Sequence, residues 1–357
     1  MGESVEPFVM PSARAAAMGG NHVAYADDFY AIFTNPAAFV DIEEEFSVAE
    51  LSLCAYGPVF EIVDFLQDVL YESKTLDISS ILGPRGFAAG FDLGGPIALG
   101  WIGRGWALGF FNRTRFDTPI TGTALRPQIS EDTLLAGGYS FRLLNQQRHY
   151  LDLGFLGKGF YRGALKMDAS MFDINTLLKE PSAYPFITYL GIGFDVGLRY
   201  SFGDNFSAAL VCYDAYSPAV VSSYSSFSDF RSRKKALGVD YSLVKTRLDF
   251  GLKYRIHPSF LSRYISHLVI AADYRDFTDL FALIPRNPIL NLGIGMEMVL
   301  LKVLSIRAGV TDALPSVGFG LDLSFMRLDC SMYGKELGFD PGIQSTYAVA
   351  LGLLFRY

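Results

Sequence analysis

Residues 190–201 read Leu-Gly-Ile-Gly-Phe-Asp-Val-Gly-Leu-Arg-Tyr-Ser. Leu190, Ile192, Phe194, Val196, Leu198 and Tyr200 fall on one face, and Gly191, Gly193, Asp195, Gly197, Arg199 and Ser201 on the other. A repeat of two belongs to an extended strand, whose successive side chains point to opposite sides. The pattern returns at Leu248, Phe250, Leu252, Tyr254 and Ile256 against Asp249, Gly251, Lys253 and Arg255. It returns again at Val317, Phe319, Leu321, Leu323 and Phe325 against Gly318, Gly320, Asp322 and Ser324.

Carried along the chain, this alternation predicts about fourteen strands. They fall near residues 46–55, 86–102, 105–116, 131–143, 148–162, 189–201, 205–216, 236–257, 266–276, 290–300, 303–311, 316–325, 327–334 and 345–357. Connections near Gly103, Asn145, Gly203, Lys302 and Met326 are tight, whereas those around 56–85, 117–130, 163–188, 217–235 and 277–289 are long. An even strand count with short turns at one end and long connections at the other is the layout of a transmembrane β-barrel of the bacterial outer membrane. It puts both termini in the periplasm and the long loops outside.

Composition points the same way. Half of the 357 residues are hydrophobic and 19% are charged, yet no apolar run is long enough for a spanning helix. The best stretch, 283–301, is broken by Pro285, Arg286, Pro288 and Glu297. A barrel needs only alternate residues to meet lipid, and 30 Phe, 20 Tyr and 35 Gly suit aromatic girdles and crowded strands. An aromatic-rich soluble β-protein is the alternative, but it has no reason to sort its loops by length. The polar face contains Asp152, Lys158, Asp195, Arg199, Asp249, Lys253, Arg255, Asp273, Arg275, Glu297, Arg307 and Asp322. Such charges are costly against lipid and are expected to pair with one another across the lumen.

Several function classes drop out. A net charge of −7 without a basic run offers nothing to nucleic acid. Cys54, Cys212 and Cys330 are odd in number and widely spaced, which suggests neither a zinc site nor a disulfide framework. His22, His149, His257 and His267 share no ligand or triad spacing, so no enzyme and no metal or organic cofactor is expected. No secretory signal precedes Glu3; it is expected to have been removed or to lie upstream of this start. Two connections have helical spacing, one at Val59, Phe60, Ile62, Val63, Leu66, Val69 and Leu70, the other from Asp173 to Lys179. Capping the barrel mouth and collecting substrate are both open to them.

Residues 1–45 do not alternate and form a separate unit before the barrel of 46–357. Ala13, Ala15, Ala16 and Ala17 suit a short helix in a confined space, which Gly19 and Gly20 would end. Asp27 and Asp28 can cap a second short helix, and Asn35-Pro36 a turn after it.

The run SARAAAMGGNHVAYADDFYAIFTNPAAF, residues 12–39, resembles the opening hatch of the FadL-type long-chain fatty-acid transporters of the outer membrane. There a small-residue helix is followed by Ala-Asp-Asp and an Asn-Pro-Ala turn. Residues 306–342 are similar to the closing strands of FadL-like paralogues of spirochaetes and of PorV-type proteins. The resemblance implies a fourteen-stranded barrel whose lumen is plugged by the hatch, with Gly19, Gly20, Asp27, Asp28, Asn35, Pro36 and Ala37 as hatch and gate residues. It implies a hydrophobic small-molecule ligand that leaves sideways through a gap in the wall near the Asn-Pro-Ala turn. Gly94, Gly95 and Pro96 are candidates for that gap, because Pro inside a strand removes a ladder donor; a β-bulge at the rim is the other reading. The last strand places Leu351, Leu353, Phe355 and Tyr357 on one face. Its terminal aromatics resemble the signal read by the barrel assembly machinery, with Phe355 and Tyr357 as its residues. Expected partners are thus hydrophobic ligand, outer-membrane lipid and that machinery, with the barrel itself a monomer. Passive uptake leads. A PorV-like scaffold for exported proteins and a narrow polar diffusion pore are the alternatives.

Overall fold

The computed structural model describes residues 5–57, 87–121, 124–167, 169–170, 181–257 and 263–356. Its alternating segments form one antiparallel sheet that closes on itself. The strands are β1 Glu45–Gly57, β2 Phe87–Gly103, β3 Trp106–Thr121, β4 Gln128–Gln146, β5 His149–Lys166 and β6 Phe186–Phe202. β7 has two runs, Phe206–Tyr213 and Pro218–Tyr224, as does β8, Gly238–Leu243 and Arg247–Ile256. There follow β9 Ile265–Tyr274, β10 Leu292–Leu300, β11 Leu304–Thr311, β12 Leu314–Leu323, β13 Met326–Glu336 and β14 Ser345–Arg356. Each strand pairs with its sequence neighbours, and β1 returns to β14 with Leu51 opposite Leu353 and Cys54 opposite Ala350. All fourteen strands expected from the alternation are present.

The faces sort as the sequence pattern requires. On β6, Leu190, Ile192, Phe194 and Leu198 are exposed while Asp195, Arg199 and Ser201 are buried. The outward apolar face continues through Trp106, Leu108 and Phe110, then Leu210, Leu252, Ile270, Ile294, Ile306, Phe319 and Leu351. A closed barrel satisfies every ladder hydrogen bond internally, and this outer belt meets acyl chains. The chain is a transmembrane barrel of the outer-membrane type.

Three expectations need correction. The supposed loops at 117–130, 163–188 and 217–235 are partly strand, since β3 reaches Thr121, β5 reaches Lys166 and β7 includes Pro218–Tyr224. These ends, 117–121, 163–166 and Pro218–Tyr224, are short runs of mixed polar and apolar residues. Apolar alternation cannot reveal them. The long-connection end also holds one tight hairpin, at Asp312 and Ala313 (φ 53° and 60°), the left-handed pair that matches strand twist. Finally, the strand expected over 236–257 is interrupted after Leu243, opposite the interruption in β7. There Val244 N donates to Ser217 O at 2.9 Å, and Val5 forms a parallel bridge with Val244. The proposed helices at 59–70 and 173–179, and Tyr357, lie outside the described residues.

Candidate functional site

Residues 5–44 make their contacts with the inward faces of the strands. The segment starts at the long-connection end, where Glu6 pairs with Arg115 at 2.8 Å and its carbonyl accepts from Arg162 at 3.1 Å. It leaves at the short-turn end, where Phe39 O accepts from Gly105 N at 3.1 Å and Asp41 meets Arg142 and Arg199.

Its first helix, α1 Ala13–Ala17, is capped by Ser12, whose Oγ accepts from Ala15 N at 3.3 Å. Alanines let the helix lie flat on β11–β14, with Ala17 beside Gly318 and Ser316 Oγ donating to Ala17 O at 3.0 Å. Gly19 (φ 80°) and Gly20 (φ 123°) end it, as expected, in a backbone region that favours glycine. Beyond them His22 pairs with Asp273, which also accepts from Val23 N at 2.8 Å.

Arg14 and Asp28 join a closed ring of six alternating charges. Arg14 contacts Asp28 at 2.7 Å; Asp28 contacts Arg327 at 2.8 Å; Arg327 contacts Asp329 at 2.8 Å. Asp329 meets Arg307 at 2.6 Å, Arg307 meets Glu297 at 2.5 Å, and Glu297 returns to Arg14 at 2.9 Å. Tyr25 adds a hydroxyl bond to Glu297 at 2.5 Å. Burial pushes the Asp28 carboxyl up, but the guanidiniums of Arg14 and Arg327 outweigh it and hold it below the usual carboxylate range. Asp28 also accepts from Tyr30 N at 3.1 Å, but the helix α2 Ala31–Thr34 has Tyr30 as its N-cap and no side-chain cap. Asp27 pairs with Arg14 and lies 3.7 Å from Arg255. The acidic pair therefore serves ionic fastening more than capping.

Asn35 behaves as its position suggests. Its side-chain oxygen accepts from Ala37 N at 2.9 Å and its amide donates to Val23 O at 2.8 Å, starting a 3-10 turn over Pro36–Val40. The turn sits on β5 and β6, where a side chain at Gly154 would collide with Pro36 and Ala37 and one at Gly197 with Asn35. Asp152, between Arg142 (2.7 Å) and Arg199 (2.8 Å), completes a smaller ring with Asp41.

The candidate wall gap lies elsewhere. The β1–β2 ladder lapses between Ser47–Gly100 and Ser52–Gly94, and β2–β3 between Gly94–Arg113 and Ala98–Phe111. Met10 is the segment residue against Gly94, and the Glu50 carbonyl lies against Gly95. The Asn35-Pro36-Ala37 turn is thus seated on strands three and four positions further round, and Met10 takes the place at the irregular wall that the resemblance gave to that turn. Phe355 is outward on β14, beside Ala49.

An apolar cluster fills the centre. Phe8 stacks on Phe33 at 6.1 Å, Phe33 meets Phe111 edge-on at 4.6 Å, and Phe29 meets Phe111 at 5.8 Å. Met10, Ile32, Leu134 and Leu156 belong to the same cluster. A recess of about 30 Å³ remains between Phe8, Phe33, Leu134, Leu156 and Lys158. Lys158 is already held by Asp195 at 2.7 Å and Asp214 at 2.8 Å. The short-turn end is different: two recesses of about 810 Å³ each share Tyr25, Asp27, Glu43, Glu45 and Arg356. Sequence reasoning missed Met10, Phe8, Phe33, Arg14 and Arg327, because no local pattern tells which residues will meet across the lumen.

No protein-family model matches the sequence. No curated protein matches it either. Solved structures do: the toluene transporter TbuX of Ralstonia pickettii, 14% identical over 98% of this chain and 97% of that one, superposes with a TM-score of 0.53. The CymD monoaromatic hydrocarbon channel is 14% identical over 99% of both chains, with a TM-score of 0.52. A FadL homologue of Pseudomonas aeruginosa, 12% identical over 99% of both, gives 0.49. Neighbours so remote in sequence establish architecture alone, and by fold the chain is a closed fourteen-stranded transmembrane barrel similar to the first two of these.

Proposed function

We propose that the chain takes up small hydrophobic molecules passively, residues 1–45 serving as a hatch that closes the lumen of the barrel 46–357. The observation that carries this is the division of the interior. The centre is an aromatic cluster around Phe8, Phe33 and Phe111, whereas the short-turn end, read as periplasmic, is lined by charged side chains. A hydrophobic molecule that reached the cluster would not cross the charged recesses, because apolar matter gains nothing there. Release sideways through the irregular wall at Gly94–Ala98, past Met10, avoids those charged recesses. The ligands named for the two hydrocarbon channels are of the size and polarity this route suits; long-chain fatty-acid-like molecules share the polarity.

The charged inner face does not favour a polar pore, since Glu297, Asp152, Arg199 and Arg327 are engaged with one another or with residues 14–41. Phe355 and Tyr357 are proposed as the assembly signal of a monomeric barrel. The test is uptake of labelled toluene by cells carrying the full chain, beside single-channel conductance of the chain with and without residues 1–45. Uptake by the intact chain and conductance only in the truncated one are expected. Ready conductance by the intact chain, or no uptake, would overturn the reading.

A further inference from the structure

The wall irregularity has two unlike edges. Outside it are Leu51, Ile97 and Leu99, exposed and apolar. Inside it are Ser47, Glu50 and Ser52, buried to within 1% of complete. The hydroxyls of both serines and both carboxylate oxygens of Glu50 have no hydrogen-bond partner among the described residues. Four orphaned atoms within six residues form the densest such group among the described residues; single ones stand at Glu45, Ser140, Arg247, Arg255, Tyr274 and Ser331, whereas Glu297, Asp152, Asp195 and Asp273 are each doubly engaged. Arg327, on the strand beyond β14, is already taken by Asp28 and Asp329. Folded proteins leave few buried polar groups unpaired, because each forfeits its hydration without return. An ionisable group at membrane depth is rarer still and marks a path for something polar.

The cluster borders the ladder lapse itself. Gly95 has φ 87° and its backbone presses on the Glu50 carbonyl, while Ser52 Oγ and the Met10 thioether crowd the same side of Gly94. A flexible methionine is the segment side chain set against Gly94, and thioethers adapt readily to a changing neighbour.

We propose that Glu50, Ser47 and Ser52 form a polar checkpoint in the lateral exit, which receives the hydroxyl of an otherwise hydrophobic molecule such as a phenol. This rests on the reading of sideways release. The ligand hydroxyl donates to Glu50 and accepts from a serine hydroxyl, satisfying orphaned atoms as the apolar remainder passes between Leu51 and Ile97. A hydrocarbon offers no such bond. A fatty-acid anion offers Glu50 no donor and would have to bury its own charge in the exit.

The full chain, in the outer membrane of a host without other hydrocarbon uptake, is tested with labelled para-cresol and toluene, which differ by one hydroxyl. Glu50→Leu is expected to slow cresol uptake about tenfold, the scale of one buried hydrogen bond, and to leave toluene within about twofold. Glu50→Gln keeps an acceptor and is expected to retain most cresol uptake, and Ser52→Ala to lose about half. If Glu50→Leu does not assemble, the cresol-to-toluene ratio of Ser52→Ala decides, halved if the inference holds. An equal fall for both probes makes Glu50 a wall-shaping residue and overturns the inference. An unchanged ratio overturns it too, while leaving hydrophobic uptake standing. Absence of both probes' uptake by the unaltered chain overturns the uptake reading and this inference with it.

Discussion

Arg14 reaches across 283 positions of sequence to donate to both carboxylate oxygens of Glu297, at 3.1 and 2.9 Å. This bidentate contact ties the segment before the barrel to β10 and closes the six-charge ring. Removing one member of a buried pair typically costs about 3–5 kcal/mol, chiefly because the other charge is left without compensation. Arg14 keeps 13% side-chain exposure, so the lower end is expected for Arg14→Met. Its denaturation midpoint should fall and its conductance at pH 7 rise. Arg104, exposed in its pair with Glu44, is the control, and Arg104→Ala should change stability by less than about 1 kcal/mol. Equal effects from the two variants would count against the ring as a fastening.

The ring also sets a pH dependence. Asp28 titrates below its ordinary 3.8 in the folded chain, so folding favours its ionised form. Its contribution is complete above about pH 4 and is lost as pH falls through the depressed value. Protease access to residues 5–44 should therefore be flat from pH 7 to about 4 and rise below it. In Asp28→Asn that acid-side rise should be smaller, with more access at neutral pH.

Gly154 and Gly197 give the turn at Asn35-Pro36-Ala37 its seat. Gly154→Leu or Gly197→Leu should displace the turn and open the lumen, seen as a stepwise gain in conductance. Gly159, with open space where a Cβ would stand, is the comparison position, and Gly159→Ala should leave conductance unchanged.

In a background with Cys54, Cys212 and Cys330 replaced, Met10→Cys with Gly94→Cys should form a disulfide under mild oxidation, since Met10 lies against Gly94. Locking Met10 in place should stop toluene uptake, and reduction should restore it. Full uptake by the oxidised protein would mean that the exit lies elsewhere, the β7–β8 interruption beside Val5 being the next place to look.

Asn35 makes a cap and a cross-segment bond, so Asn35→Ala should cost roughly 1–2 kcal/mol in the stability of the closed segment. Hydrogen exchange at residues 31–40 would register it as faster opening. Unchanged protection would show that the glycine seat alone holds the turn.

The sequence by itself determined the barrel, because a membrane wall obeys a local rule: every second residue meets lipid. Leu190 to Tyr200 show that rule without reference to anything distant, and the fourteen strands followed from it. The rule fails at strand ends such as those of β3 and β5, where residues 117–121 and 163–166 are too short and mixed to show a period. The inner face is governed by pairing across the lumen. Nothing near Arg14 names Glu297, nothing near Met10 names Gly94, and neither Gly154 nor Gly197 announces the proline turn it admits. The orphaned Glu50 is the extreme case: in sequence it is one more polar residue in a strand, and only the closed wall, by withholding both water and a partner, makes it conspicuous.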